Sequence, residues 1–304
     1  MTAERRDASF AGDGFRAQDA TARSASTRPE VMEPCDAAAA GVGNAAEKLE
    51  LVMGAEGLAR LASAHVAVLG LGGVGSNCVE ALTRGGVGNL FLVDRDIVQA
   101  SNINRQAIAF RSTLGRRKVD VMRAMVADIN PHAAVETRHM LVLRENLGEL
   151  LDEMRAWAEA DGGALDYVVD AIDTVSAKLA LAEIAQERGI TLISSMGAAN
   201  KLHPEALRIA DLYDTVNCPL CRIMRKEGRK RGIRRLRVLY SAEEPVRVPT
   251  REGAARSERS NLGTASFMPP IMGQMIAGAV LRELAGLEAW QGTFLLSHVD
   301  NEWR

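Results

Sequence analysis

Gly70-Leu71-Gly72-Gly73-Val74-Gly75 puts four glycines into six residues. Residues 65–69 before it form a short β-branched run, and residues 74–84 after it have helical periodicity. Glycines between a strand and a helix let the backbone approach a phosphate. The helix start then supplies unpaired N–H groups and the positive end of its dipole. Gly70, Gly72, Gly73 and Gly75 therefore read as a nucleotide cradle, with a tight turn that binds nothing as the alternative. Asp94 ends the next apolar run, residues 89–93, with Asp96 beside it. An acid about 20 residues past such glycines hydrogen-bonds a ribose in dinucleotide folds. A capping or solvated carboxylate is the plainer alternative, and NAD and ATP fit equally well to this point.

A third cluster separates the two nucleotides. Ser101-Asn102-Ile103-Asn104-Arg105-Gln106 follows, and Lys118 stands 13 residues beyond Arg105. Hydride transfer has no need of these cations. A triphosphate does, because Arg grips terminal phosphate oxygens bidentately and Lys places a point charge on the phosphate under attack. The fourth cluster, Asp170-Ala171-Ile172-Asp173-Thr174, ends the apolar stretch 167–169. A carboxylate at a strand's end is placed to hold Mg²⁺ bridging the phosphates. Asp173 also suits the N-cap of the helix that follows.

These residues need a scaffold that brings strand ends together. The pattern predicts helices over 51–62, 74–84, 116–129, 146–159 and 176–188, and strands over 65–69, 89–93, 134–141, 167–169 and 191–194. Such β–α alternation argues an α/β, Rossmann-like doubly wound sheet, parallel in its N-terminal half. Right-handed crossovers place every strand's C-terminal end on one edge. After Gly197 the alternation loosens. Residues 207–210 and 236–240 read as antiparallel strands flanking a basic helix over 218–235. Residues 246–262 read as a mobile loop, 268–284 as an apolar helix on the sheet, and 287–304 as a strand-like tail.

The chain has 304 residues and a formal net charge of -2, which argues against a generally basic nucleic-acid coat. Residues 1–46 contain no Leu and no Ile and read as a disordered tail, leaving one domain over 47–304. No apolar run is long enough to span a bilayer and no secretory signal opens the chain, so a soluble cytoplasmic protein without a membrane partner is expected.

The ordered set Gly70–Gly75, Asp94-Arg95-Asp96, Ser101–Gln106, Lys118 and Asp170–Thr174 resembles the ThiF/MoeB/HesA family, the ubiquitin-activating-enzyme-like adenylyltransferases. Within it, residues 48–286 are most similar to the tRNA threonylcarbamoyladenosine dehydratase group. Gly54-Ala55-Glu56-Gly57-Leu58, Cys218-Pro219-Leu220, Tyr240-Ser241-Ala242-Glu243-Glu244-Pro245 and Gly263-Thr264-Ala265-Ser266-Phe267-Met268-Pro269 carry that narrower likeness. The resemblance implies an ATP- and Mg²⁺-dependent ligase-like enzyme. Adenylylation would activate the modified nucleoside's carboxylate, and a ureido nitrogen would then close a ring with net loss of water. It implies that the glycines cradle ATP and Asp94 binds ribose. Asn102 and Arg105 would contact phosphates, Lys118 the α-phosphate and Asp173 the Mg²⁺, with Thr174 beside the nucleotide. It further implies a homodimer and sulfur-relay partners. An arginine that in the family reaches a partner subunit's ATP site is replaced by Lys48, which cannot reproduce a bidentate grip. The alternative reading is activation of the C-terminal glycine of a sulfur-carrier or ubiquitin-like protein.

Cys218-Pro219-Leu220-Cys221 is one C-x-x-C. A structural zinc needs four ligands, and Cys35 and Cys78 do not form a second pair, so zinc is not expected. The pair reads as an ordinary helix start, with a redox or catalytic role as the sharper alternative. From Arg222 to Arg237 there are nine Lys/Arg and one acid, Glu227. Arg222, Arg225, Lys226, Arg229, Lys230 and Arg234 read as contacts to a tRNA backbone, against a plain solvated face. The tail carries -2, the basic stretch +8 and the rest of the body -8. The near-neutral total therefore conceals a concentrated basic strip.

Overall fold

The computed structural model describes residues 46–246 and 262–290. The expected tail 1–46, apart from Ala46, lies outside the described residues, as do 247–261 of the expected loop and 291–304 of the expected terminal strand. The described elements are α1 (Glu47–Ser63), β1 (His65–Leu69), α2 (Gly73–Arg84), β2 (Asn89–Val93), α3 (Lys118–Ile129), β3 (Ala134–Arg138) and α4 (Arg144–Ala160). They continue with β4 (Leu165–Asp170), α5 (Val175–Arg188), β5 (Leu192–Ser195), β6 (Leu207–Asp211), α6 (Pro219–Lys230), β7 (Arg237–Ser241) and α7 (Met268–Leu284). No helix among the described residues is long and apolar enough to cross a membrane.

The strands form one seven-stranded sheet in the order β3-β2-β1-β4-β5-β7-β6. The sheet is parallel from β3 through β7, and β6 alone runs antiparallel, against β7. The expected antiparallel pair is present, but β7 slots between β5 and β6 and continues the parallel sheet. β3 stops at Arg138 rather than residue 141, and 139–143 instead form the approach to α4. Strand order reverses between β1 and β4, leaving a crevice at their C-terminal ends where α/β sheets bind ligands.

Alternation along each strand divides the core. Val66 and Val68 of β1 face a layer built from Cys78, Val79 and Leu82 of α2, Met122 and Val126 of α3, and Met272 and Ile276 of α7. Ala67 and Leu69 face Leu147, Leu151 and Met154 of α4 and Leu181 of α5. Because both faces are covered, β1 and β2 are apolar at nearly every position, as parallel strands must be. A third cluster packs Cys221 and Met224 of α6 against Val238 and Tyr240 of β7 and Leu179 of α5.

Two devices bind α7 to this frame. Tyr167 Oη donates to Glu283 Oε2 at 2.9 Å, and Arg237 donates to Tyr167 Oη at 2.7 Å and also pairs with Glu283. Arg237, counted in the basic stretch, is therefore a buried tie and not a surface cation. From the inner strand β7 its guanidinium reaches the Tyr167 hydroxyl and the Glu283 carboxylate. The second device is Gly273, which lets α7 lie against α2. A Cβ there would overlap the Val74 carbonyl and stand 2.8 Å from Cys78 N. Gly273→Ala forces the helices apart, an overpacking cost of about 1–3 kcal/mol. We expect thermal unfolding to show a Tm lower by about 2–12 °C; an unchanged Tm would refute the contact.

Candidate functional site

A cleft of about 790 Å³ opens at the C-terminal ends of β1, β2, β4 and β5. Of the residues singled out from sequence, Gly70, Gly72, Gly73, Asp94, Asp96, Asn102, Arg105, Lys118, Asp173 and Thr174 all line it. Ser101 and Gly75 do not. Ser101 is exposed, and its carbonyl accepts from Arg105 at 2.9 Å. Gly75 is buried inside α2, where a Cβ would overlap the Gly70 carbonyl. Its role is to let the helix approach the turn, not to touch a ligand.

The turn itself is held from two sides. Gly70 adopts φ +94°, and a Cβ there would lie 2.9 Å from the Ala171 carbonyl carbon, so the β4 end presses against it. Asp94 Oδ2 accepts from Leu71 N at 2.6 Å, and Oδ1 accepts from Asp96 N at 2.7 Å. Asp94 thus braces the glycine turn while facing the cleft. A Cβ on Gly72 would meet nothing within 4 Å, so this stretch of backbone is open to the cleft. The first-turn N–H groups of α2 have no carbonyl partner within their helix.

Two cations enter from the β2–α3 connection. Lys118 is buried at the start of α3, and its Nζ donates to Asp96 Oδ2 at 2.9 Å. Arg105 is half-buried and held by the Ser101 carbonyl and by Asn104 Oδ1 at 2.8 Å. Asn102 is buried and its Oδ1 accepts from Gln99 N at 3.0 Å, closing the short turn that aims Arg105.

The two acids of the fourth cluster have opposite fates. Asp170 is fully buried, with Oδ2 3.0 Å from Lys178 Nζ and accepting from Ser194 Oγ at 2.5 Å. It has no access to a metal in the cleft. Asp173 is exposed on the cleft wall, and its Oδ1 accepts from Thr174 Oγ1 at 3.3 Å. The N-cap of α5 is Thr174, not Asp173, and no side chain caps it. Among the described residues no three His, Cys, Asp or Glu side chains gather to hold a metal unaided. Asp173 fits a shared site, one carboxylate with the remaining ligands from phosphate and water, the mode Mg²⁺ uses with nucleotides.

Apart from Cys218 and Leu220, already noted in the C-x-x-C, the cleft has lining residues that no motif marks. Met140–Val142, Met196, Leu220 and Ile223 form an apolar flank, and Ser195, Lys201 and Cys218 a polar one. Lys201 is buried, donates to the Glu243 carbonyl, and has its ammonium pKa lowered by burial. No motif marks it, because its burial comes from the β7 end folding over it.

The basic segment differs from expectation. α6 ends at Lys230, because Gly232 at φ +69° turns the chain, so Arg234 lies beyond the helix and not on its face. Arg225 is half-buried and donates to the Thr215 carbonyl at 2.8 Å, while Lys230 pairs with Glu227 at 2.8 Å. Arg229 stacks over the Tyr213 ring at 5.2 Å. Arg222, Lys226 and Arg234 remain as exposed cations, with α6 starting at the cleft wall.

The ThiF family model matches residues 45–301. This chain belongs to the ThiF family. It is 40% identical over 244 residues to a Bacillus subtilis tRNA threonylcarbamoyladenosine dehydratase, covering 77% of this chain and 92% of that one. A Haemophilus influenzae protein of the same name is 39% identical over 175 residues, 58% of this chain and 63% of its own. The E. coli tRNA N6-threonylcarbamoyladenosine dehydratase solved in complex with ATP superposes with a TM-score of 0.68 at 28% identity, covering 81% of this chain and 95% of that one.

The buried Asp170–Lys178 pair supports this ThiF-type cleft from below. Lys178→Met leaves a carboxylate uncompensated and is expected to cost about 3–5 kcal/mol. Denaturant titration should show that Asp170→Asn/Lys178→Met loses less than the two single changes added together; strict additivity would sink the coupling.

Proposed function

We propose that this protein is an ATP-dependent tRNA threonylcarbamoyladenosine dehydratase. The observation that carries the reading is the convergence of Gly72, Asp94, Arg105, Lys118 and Asp173 on one cleft, in a ThiF-family chain whose relatives bear that activity as their name. Activation of a carrier protein's C-terminal glycine would use the same adenylylation chemistry. The likeness to the dehydratases along most of their length favours the nucleoside.

In this reading the α2 start and the Gly72 backbone receive the phosphates. Each Asp94 oxygen already accepts one backbone N–H and keeps a further lone pair, which suits it to ribose hydroxyls without releasing the glycine turn. The nucleoside's carboxylate attacks the α-phosphate and pyrophosphate leaves. Lys118 meets the α-phosphate; Asp96 holds the ammonium in place and leaves it two more donors. Arg105 faces the leaving pyrophosphate with the guanidinium donors not used by Ser101 and Asn104. Mg²⁺ bound at Asp173 would neutralise developing phosphate charge. The apolar flank from Met140 to Val142 then keeps water from the acyl-adenylate. A ureido nitrogen held beside that carbonyl closes the ring and expels AMP, favoured by the high effective molarity of an intramolecular step.

The tRNA backbone would lie along Arg222, Lys226 and Arg234. A homodimer and contact with sulfur-relay proteins enter this reading through the family resemblance alone, and a cytoplasmic location through the sequence pattern.

Incubation with ATP, Mg²⁺ and threonylcarbamoyladenosine-containing tRNA should yield a nucleoside lighter by one water in mass spectrometry. No mass change, with pyrophosphate release stimulated by a carrier protein instead, would overturn the reading. Arg105→Ala should lower turnover by at least about 10²-fold, the scale of losing one preorganised donor at developing charge, with circular dichroism unchanged.

For tRNA binding, Arg222→Ala/Lys226→Ala should weaken affinity and reduce the slope of log K against log salt by about 2. Arg225→Ala, whose side chain already serves Thr215, should lower Tm and leave that slope alone. Equal slopes for all three proteins would remove α6 from the interface.

A further inference from the structure

The nucleotide-binding reading leaves one reactive group on the cleft wall unused. Cys218 is only 5% exposed but lines the cleft, at the N-cap of α6 where a helix start favours negative charge, with Cys221 fully buried behind it. Cys221 N donates to Cys218 Sγ at 3.4 Å, and the two side chains are hydrogen-bonded to each other. From outside the helix, the Lys201 ammonium and the Tyr240 phenol face Cys218. Glu243 and Glu244 lie beyond Lys201, and Arg225 and Thr215 face Cys221. The hydrogen bonds from Cys221 and the charge of Lys201 hold the Cys218 thiol below its ordinary pKa. The thiol of Cys221 is pushed up by its bond to Cys218 and by burial. One thiol is thereby prepared to attack and its neighbour to resolve, the division of labour in redox-active C-x-x-C pairs. Cys78 makes the contrast. It is sealed inside α2 with no polar partner described, and burial pushes its pKa up.

We propose that Cys218 and Cys221 form a redox-active dithiol on the wall of the nucleotide cleft, with a small-molecule disulfide of the glutathione type as its oxidant. The Cys218 thiolate attacks one sulfur of the disulfide. The S–S bond breaks, one thiolate leaves, and a mixed disulfide remains on Cys218. Cys221 then gives its proton to solvent and attacks Cys218 Sγ, expelling the second thiolate. The protein pair loses two electrons and gains one S–S bond; the disulfide is reduced to two thiol equivalents. The bond closes across one turn at the start of α6, so it forms without moving the sheet. It changes the cleft wall beside Lys201 and Leu220.

The test uses the full-length protein and needs no substrate. Iodoacetamide labelling of the Cys218 peptide, followed by mass spectrometry across pH 5–9, should rise with a midpoint at least about one unit below that of the same peptide in denaturant. Oxidised glutathione should lower the mass by about two units in the wild type. Cys221→Ser should instead accumulate glutathione on Cys218, and Cys218→Ser should show neither change. A labelling midpoint equal to that in denaturant overturns the proposal, as does a Cys221→Ser protein that traps no mixed disulfide. The wild-type labelling profile depends on no variant folding.

Discussion

A carboxylate with no exposure ends the middle strand of this sheet, and much of the cleft follows from how it is neutralised. Asp170 leaves water completely, a loss that a buried ion recovers only through close pairing and full hydrogen bonding. Lys178 supplies the pairing from α5, Ser194 a hydrogen bond from β5, and Ile172 N another from the following loop. One side chain therefore joins β4, β5, α5 and the β4–α5 connection. That connection carries Ala171, against which Gly70 is pressed, and Asp173, which faces the cleft. The glycine turn and the exposed carboxylate are set by the same buried pair.

The cleft shows a related economy in its cations. Lys118 rests on Asp96, and Arg105 rests on Ser101 and Asn104, so neither side chain is free to wander. Holding a charge by weak exposed partners limits the conformational entropy lost on binding. It also keeps the resting site from repelling itself, since Asp94, Asp96 and Asp173 stand among the two cations. On the proposed function, charge preorganised in this way needs little rearrangement as phosphate charge develops.

Much of this was legible from the sequence. The β–α alternation predicted the helices and strands from α1 through β5, because strands covered on both faces are continuously apolar and stand out between periodic helices; β7, which continues the parallel sheet, reads in the sequence only as half of an antiparallel pair. Most candidate ligands fell on the cleft because strand ends converge there by topology alone. What spacing alone does not decide is the choice between neighbours. Asp170 and Asp173 look alike in sequence, and only the unforeseen burial of Lys178 decides which one is withdrawn. Gly75 and Gly72 look alike too, yet one answers to a carbonyl and the other to open space. Lys201 was invisible, since its environment is made by residues well down the chain, Cys218 and Glu243 among them.

The basic strip shows why residue type and role part company. Nine cations in sixteen residues suggested one continuous face. Folding assigns several of them elsewhere: Arg237 to Glu283 within the core, Arg225 to Thr215, Arg231 to Glu183, Lys230 to Glu227. A long cation serves packing as readily as solvent, because its stem is apolar and its head finds carbonyls at loop ends. Few cations are left exposed and unpaired, and Arg222 and Lys226 among them follow α6 from the cleft wall where Cys218 starts it. On the proposed function, a tRNA held by Arg222 and Lys226 would lie at the rim of the cleft. The net charge of -2 conveys none of this, because a field acts through where its charges stand.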